Sequence, residues 1–272
     1  MASQEPGAFP NAALAVRVQE SAGGTGHTFP GTPAASRPSV DSSMDRFQSF
    51  GAQHLLSVAG LVAAIAIMCA VGRRFQGASS RTYELALGIS VAVLWIGYQV
   101  YDTMHRGFDP GHSLPLQFCD LTAIVAALEF ARPRRAYHAL AWFWGVALAS
   151  QAVFTPDLTA GPDTVGFWAF WLYHLFVVGA GIYAIAVRGF RPEWRDLRLA
   201  IGLGFLYVAV MFTIDAVFGL NYGYFGRAMP GQPTLLDHLG PWPIRVLHMV
   251  LLGTVAMVLL WLPWMPVRRR AR

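Results

Sequence analysis

Seven long apolar stretches limit what this chain can fold into. A helix needs about 20 mostly apolar residues to cross the hydrocarbon core of a bilayer. Stretches of that kind occupy residues 52–72, 83–104, 113–131, 136–154, 165–187, 198–219 and 243–264. Only 13% of the residues are charged, whereas a soluble domain carries about 25%. The sequence therefore predicts an all-α membrane protein in which residues 46–266 form a bundle of seven transmembrane helices.

Basic residues alternate from loop to loop, and this alternation predicts the orientation. All of them are arginine, and most lie in the loops after the first, third and fifth stretches and in the C-terminal tail, residues 267–272. Because basic loops remain in the cytoplasm, we expect a cytoplasmic C-terminus and an N-terminus outside. The predicted location is the bacterial cytoplasmic membrane, with a multi-pass topology.

The placement of arginine and the lack of lysine exclude two function classes. A retinal Schiff base needs a lysine amine, so the chain is not a retinal-binding rhodopsin. A net charge of +5 would suggest nucleic acid in a soluble protein, but these arginines flank apolar spans, where they pair with anionic lipid headgroups. We therefore expect membrane phospholipids as partners, no nucleic acid, and neither a cofactor nor a bound metal. The oligomeric state stays open.

The first 45 residues differ from the rest. They are rich in Ala, Ser, Gly and Pro and lack an apolar period, which predicts a disordered tail. Met44 lies directly before the first apolar stretch, so we regard it as an alternative start to Met1.

Polar side chains gather at one end of the predicted bundle. Such groups are costly in hydrocarbon, so they are candidates for function. The end predicted to face outside holds His54, His112, Gln117, Cys119, Asp120, Gln151, His174, Asp215, Asn221, Tyr222 and Arg245. The cytoplasmic half holds only Glu84, Glu129 and His138, close to the arginine loops. The sequence therefore predicts a polar cavity that opens toward the outer leaflet.

Cys119 is the candidate nucleophile in this cavity. It follows Pro115 near the start of the third stretch, where a helix dipole favours a thiolate. The candidate bases are His174, His112 and Asp120. Asp120 points about 100° away from Cys119 around a helix, so we expect it to pair with Arg245 or to orient a histidine. A separation within about 5 Å between Cys119 and His174 would support a catalytic pair.

Several short motifs carry a resemblance to a known family. They are residues 112–120 (HSLPLQFCD), Asp215 with 219–222 (GLNY), 235–237 (LLD) and 240–243 (GPWP). In these motifs the chain resembles the YwaF-like bacterial integral membrane proteins. That family is similar to the eukaryotic transmembrane protein 164 group, seven-span acyltransferases that move a fatty acyl chain between phospholipids. The resemblance covers about 45–265.

The resemblance implies the roles of two residues, and the hypothesis of an acyltransferase assigns roles to the others. The cysteine in the third span of that group corresponds to Cys119 and the histidine in the fifth span to His174. Cys119 would form a thioester and His174 would act as its base. Side chains expected to bind substrate are Gln117, Gln151, Asn221, Tyr222 and Arg245, the last by holding a lipid phosphate. Side chains expected to orient them are His54, His112, Asp120 and Asp215.

Two other functions stay open at this point. A transporter or lipid-binding protein would use the same polar cluster without chemistry. A zinc-dependent intramembrane hydrolase would draw its ligands from histidines and aspartates of the outer half. The set available for such a site is His54, His105, His112, His174, His248, Asp102 and Asp215.

Overall fold

The computed structural model describes residues 47–75, 77–158, 161–227 and 235–265. Within these ranges the chain forms no strand. Three short 3-10 helices are Tyr222–Tyr224, Leu235–Leu239 and Leu262–Trp264, the last of which continues the final helix, and the other helices form seven segments. They are α1 (Ala52–Arg74), α2 (Ala78–Arg106), α3 (Phe118–Ala131), the broken segment α4 (Arg135–Leu140), π-helical Ala141–Ala149 and α5 (Gln151–Phe154), α6 (Val165–Ala186), α7 (Trp194–Phe218) and α8 (Ile244–Trp261). The tails predicted at 1–45 and 267–272 lie outside the described residues.

Five helices of the described chain are long and apolar enough to cross a membrane. They are Ala52–Arg74, Ala78–Arg106, Val165–Ala186, Trp194–Phe218 and Ile244–Trp264. On α7 and α8 large apolar side chains such as Leu206, Leu247 and Leu251 are more than half exposed. Apolar surface on this scale is what a lipid-facing helix presents.

The third predicted span is shorter than expected. α3 has 14 residues, or about 21 Å at 1.5 Å per residue, because residues 113–117 of the predicted span are not helical. Pro115 has no N–H, and it disfavours helical angles at the residue before it. The predicted start of the third span at residue 113, with Pro115 in its first turn, is therefore wrong, and the helix begins at Phe118 instead.

The fourth predicted span is continuous in sequence but changes its helical type. Nine residues, Ala141–Ala149, form a π-helix between α4 and α5. This stretch packs against α6 with very close backbones. A Cβ at Gly145 would collide with the Val177 carbonyl, and one at Gly181 would collide with the Ala141 carbonyl. Small residues permit this approach between membrane helices.

α6 is the centre of the bundle. In the most apolar 18 residues of α6, 56% of the residues are buried, whereas in the corresponding stretches of α7 and α8 only 11% are buried. It packs against α1, α2, α3 and the π-helical segment. A side chain in the middle of α6 is therefore surrounded by protein, and His174 lies there.

A group of charged and polar side chains, which we call the arginine-side cluster, joins α2, α3 and α4 to the end of α6 and the residues after it. It consists of Glu84, Glu129, His138, Tyr183 and Arg188. Arg188 Nη2 lies 3.0 Å from Glu84 Oε2 and its Nη1 lies 3.6 Å from Glu129 Oε1. His138 Nδ1 lies 2.7 Å from Glu129, and the Tyr183 hydroxyl donates to Glu84 at 3.2 Å. Each carboxylate thus has a charged or polar partner.

Candidate active site

Cys119 and His174 face each other across the contact between α3 and α6. Cys119 Sγ lies 3.8 Å from His174 Nε2, within hydrogen-bonding range for a thiol. Cys119 belongs to the first turn of α3, and His174 to the middle of α6, where its side chain is 4% exposed. Of the three predicted bases, the structure brings His174 into contact with the thiol. The separation is compatible with a loosely formed pair, and the catalytic role of the two residues stays a prediction.

The imidazole of His174 is oriented by its own helix. Its Nδ1 lies 2.8 Å from the Phe170 carbonyl oxygen, four residues earlier in α6. A carbonyl oxygen only accepts hydrogen bonds, so Nδ1 carries the proton of the neutral ring. Nε2 is then an unprotonated acceptor, and it points at the Cys119 thiol. This is the tautomer that a general base requires.

Asp120 fixes the start of α3. Its Oδ1 accepts from the Trp95 indole N–H of α2 at 2.8 Å, and its Oδ2 accepts from the Gln117 backbone N–H at 2.9 Å. Among the described residues, the bonds of Asp120 go to Trp95 and Gln117 and not to Arg245 or a histidine, the partners that we expected. The bond to Gln117 supplies a partner for an N–H at the helix start. Cys119 directly precedes Asp120 in the chain, so these bonds also hold Cys119 in place.

The predicted residues Gln117, Asp215 and Tyr222 come together around the segment between α7 and α8. Gln117 Oε1 accepts from the Gly223 N–H at 2.9 Å. Asp215 Oδ1 accepts from the Tyr222 N–H at 3.0 Å, and the Tyr222 hydroxyl donates to the Pro110 carbonyl at 2.6 Å. These contacts join the entry to α3 with the end of α7, next to the Cys119 turn.

Asn221 and Arg245 belong to the same region. Asn221 Oδ1 is buried without a hydrogen-bond partner among the described atoms. Arg245 is 2% exposed and donates to the carbonyls of Gly226 at 2.5 Å and Tyr224 at 3.4 Å. These bonds assign Arg245 to holding the segment before α8. Its contact with a lipid phosphate stays a prediction.

The rim of this region holds a tyrosine that bridges two loops. The Tyr224 hydroxyl donates to Asp157 Oδ2 at 3.2 Å. Burial, with the neighbouring Asp157 carboxylate, raises the pKa of the Tyr224 phenol. The phenol therefore stays protonated and remains a donor to Asp157 at neutral pH.

Three other predicted residues lie away from the pair. His54 accepts from the Phe50 N–H at Nδ1 and donates from Nε2 to the Val153 carbonyl, both at 2.8 Å. Both ring nitrogens are thus occupied in joining α1 to α5. His112 is exposed, with Nε2 3.9 Å from Asp109 Oδ2. Gln151 is exposed at the start of α5.

Sequence reasoning missed several groups of the site. Trp95 supports Asp120, and Tyr207 donates to the Leu116 carbonyl at 2.8 Å, beside the start of α3. Tyr173, next to His174, was missed as well. These aromatic residues resemble the interfacial belt of any membrane helix, so composition alone does not reveal them. The one feature of the sequence that could have identified them is their position, since they lie at the same predicted depth in the membrane as Cys119.

The described residues also bear on the zinc hypothesis. No three His, Cys, Asp or Glu side chains in the described ranges lie close enough together to hold a metal ion. The outer-half histidines instead take separate partners, as His54 and His174 do. The geometry therefore gives the zinc-dependent hydrolase no ligand set in this part of the chain.

Comparison with known proteins agrees with the resemblance drawn from the motifs. Residues 49–261 match the sequence model of the TMEM164 family, a segment that includes every helix of the bundle. No curated protein and no solved structure matches the chain. The relation to the transmembrane protein 164 group is confirmed, while the assignment to the YwaF-like bacterial proteins stays a prediction. The chain, with its apolar helices, is a membrane protein that belongs to the TMEM164 family.

Proposed function

We propose that this protein is a cysteine-dependent acyltransferase of membrane phospholipids. One observation carries the proposal: Cys119 Sγ lies 3.8 Å from His174 Nε2. That nitrogen is an acceptor, because His174 Nδ1 donates a hydrogen bond to the Phe170 carbonyl. A thiol beside a base that is itself oriented by a third group is the arrangement of an activated nucleophile. A packing cysteine needs no such partner, and Cys69, buried among apolar side chains, has none among the described residues.

The first half of the reaction transfers an acyl chain to the protein. The Cys119 S–H proton moves to His174 Nε2 as sulfur attacks the carbonyl carbon of a phospholipid ester. The resulting tetrahedral adduct collapses when the bond between the carbonyl carbon and the glycerol oxygen breaks. That oxygen takes the proton from Nε2 and leaves as a lysophospholipid. The acyl chain remains on Cys119 as a thioester.

The second half passes the chain to an acceptor. A lysophospholipid hydroxyl gives its proton to the now neutral Nε2 and attacks the thioester carbonyl. The bond between carbon and Sγ breaks, and sulfur recovers the proton. His174 acts as base and then acid in each half. No cofactor enters either half.

We further propose seven spans, with the N-terminus outside and the reactive pair near the outer face. In this topology the five long helices are five of the spans, and α3 and the segment from α4 to α5 are the other two. The arginine distribution supports the orientation. Arg81 donates to the carbonyls of Phe130 and Ala131 at the last turn of α3, whereas Cys119 lies in its first turn. The thiol is therefore at the end opposite the basic loops, and its substrates would be lipids of the outer leaflet in a bacterial cytoplasmic membrane.

The test is intact mass spectrometry of the purified protein after incubation with phospholipid vesicles. We expect an added acyl mass on the wild type that hydroxylamine removes. Cys69→Ser, the matched control, should acquire the same adduct, and Cys119→Ser should not. His174→Ala should slow its formation by about 10²–10⁴-fold, the usual contribution of a general base.

Two results would contradict this function. An acyl mass that persists in Cys119→Ser would place the chemistry elsewhere. No adduct on any folded form would leave the polar region as a binding or transport site, the alternative that needs no reaction.

A further inference from the structure

A buried tyrosine hydroxyl next to the reactive pair has no hydrogen-bond partner. It belongs to Tyr173, which precedes His174 in α6, and none of the described residues bonds to it. A buried hydroxyl without a partner destabilises the fold, because it has lost its hydrogen bonds to water. Such a group in a native protein calls for an explanation, and a bound ligand is one.

The other tyrosines of the region are already occupied. Tyr207 donates to the Leu116 carbonyl, Tyr222 to the Pro110 carbonyl and Tyr224 to Asp157. On the adjacent helix α2, the Tyr98 hydroxyl lies close to the backbone of α6, since a Cβ at Gly166 would be 3.5 Å from it. Within the described ranges, Tyr173 is the tyrosine whose buried hydroxyl is left as an unused donor.

Tyr173 lies beside the base of the reactive pair, because it directly precedes His174 in α6. Seven residues, or about two helical turns, separate it from Gly166, so both lie on the face of α6 that packs against α2. The same part of α2 supplies Trp95, which donates to Asp120. The Tyr173 ring also meets the His174 ring edge-on, with 5.4 Å between the ring centroids. Tyr173 thus contacts the base that faces the Cys119 thiol.

We propose that Tyr173 donates its hydrogen bond to the oxyanion that forms when Cys119 attacks a phospholipid ester. This inference rests on the proposed acyltransferase function and adds a catalytic residue to it. Attack by sulfur turns the carbonyl oxygen into an alkoxide, and the Tyr173 O–H bonds to that oxygen without transferring its proton. The bond is released when the carbonyl re-forms and the lysophospholipid leaves. A donor aimed at developing charge in a site without water is strongly stabilising.

The test compares two reactions of the same thiol in the Cys69→Ser background. Acylation by phospholipid passes through an oxyanion, whereas alkylation by iodoacetamide does not, because sulfur displaces iodide at a saturated carbon. We expect Tyr173→Phe to slow acylation by about 10²–10³-fold, the usual effect of losing one oxyanion donor. Its alkylation rate should equal that of the background protein.

A second tyrosine provides the matched control. Tyr83 donates to the Met68 carbonyl, away from the pair, and Tyr83→Phe should leave both rates unchanged. Equal acylation rates in Tyr173→Phe and the background would overturn the inference while leaving the acyltransferase intact. Equal losses in both reactions would also overturn it, since they would indicate a structural role. A background protein that alkylates but never acylates would overturn the proposed function, and this inference with it.

Discussion

The two polar regions of this bundle differ in how their groups are partnered. In the arginine-side cluster, opposite charges meet: Arg188 contacts Glu84 and Glu129, and His138 contacts Glu129. Around Cys119 and His174 the bonds are mostly to neutral groups, and the hydroxyl of Tyr173 stays unused. Both regions contain a histidine and buried carboxylates, so composition alone does not distinguish them.

The difference separates a region of ion pairs from the region in which we propose chemistry. In a buried ion pair the two charges stabilise each other, so removal of one partner affects the fold. In the other region, a base facing a thiol and an unpaired donor would gain partners when a substrate binds. The predictions below separate the two regions by comparing unfolding with thiol reactivity.

The largest effect on stability is expected from Arg188→Ala. It leaves Glu84 and Glu129 without their shared cation, and breaking a buried pair on one side costs about 3–5 kcal/mol. Thermal unfolding in detergent should show this loss. Alkylation of Cys119 in the protein that remains folded should match the wild type. A marked drop in alkylation would mean that the two regions are coupled.

A smaller loss is expected from Trp95→Phe, which removes the indole donor to Asp120. A hydrogen bond to a charged group contributes about 1.5–3 kcal/mol. Because Asp120 holds the turn that carries Cys119, acylation should slow as well. Trp168→Phe is the control, since Trp168 is 55% exposed and donates only to the Pro162 carbonyl. Equal unfolding and acylation in both variants would contradict the role assigned to Trp95.

Tyr222→Phe tests the link between the two loops near the site. The lost hydroxyl donates to the Pro110 carbonyl and accepts from the Leu114 N–H. Each ordinary bond contributes about 0.5–1.5 kcal/mol. Denaturant unfolding should report a loss of this order, with the alkylation rate of Cys119 little changed. No change in stability would show that these bonds are replaced by water.

The smallest effect is expected from Arg106→Ala. Arg106 pairs with Asp102 at 2.8 Å, but its side chain is 73% exposed. Exposed helix pairs of this spacing contribute about 0.3–0.5 kcal/mol. The unfolding midpoint should therefore barely move, in contrast to Arg188→Ala. A loss as large as that of Arg188→Ala would show that exposure does not separate the two kinds of ion pair.

The sequence predicted the helical class and a Cys119–His174 contact, whereas the catalytic role of the two residues stays a prediction. Apolar length located the helices, and similar depth on the third and fifth stretches, with the family resemblance, favoured His174 as the partner of Cys119. The π-helical turn at Ala141–Ala149 was not predictable, since it depends on close contact with α6. The partners of Asp120 and Arg245 depend on rotation about helix axes, which depth does not reveal.

The bond between His174 Nδ1 and the Phe170 carbonyl lies entirely within one helix. Its two atoms move together, so the imidazole keeps its orientation and tautomer when the neighbouring helices move. The thiol belongs to α3, a short helix whose start is held by contacts from other parts of the chain. A displacement of the start of α3 would therefore change the distance between Cys119 Sγ and His174 Nε2. The orientation of the imidazole would stay the same.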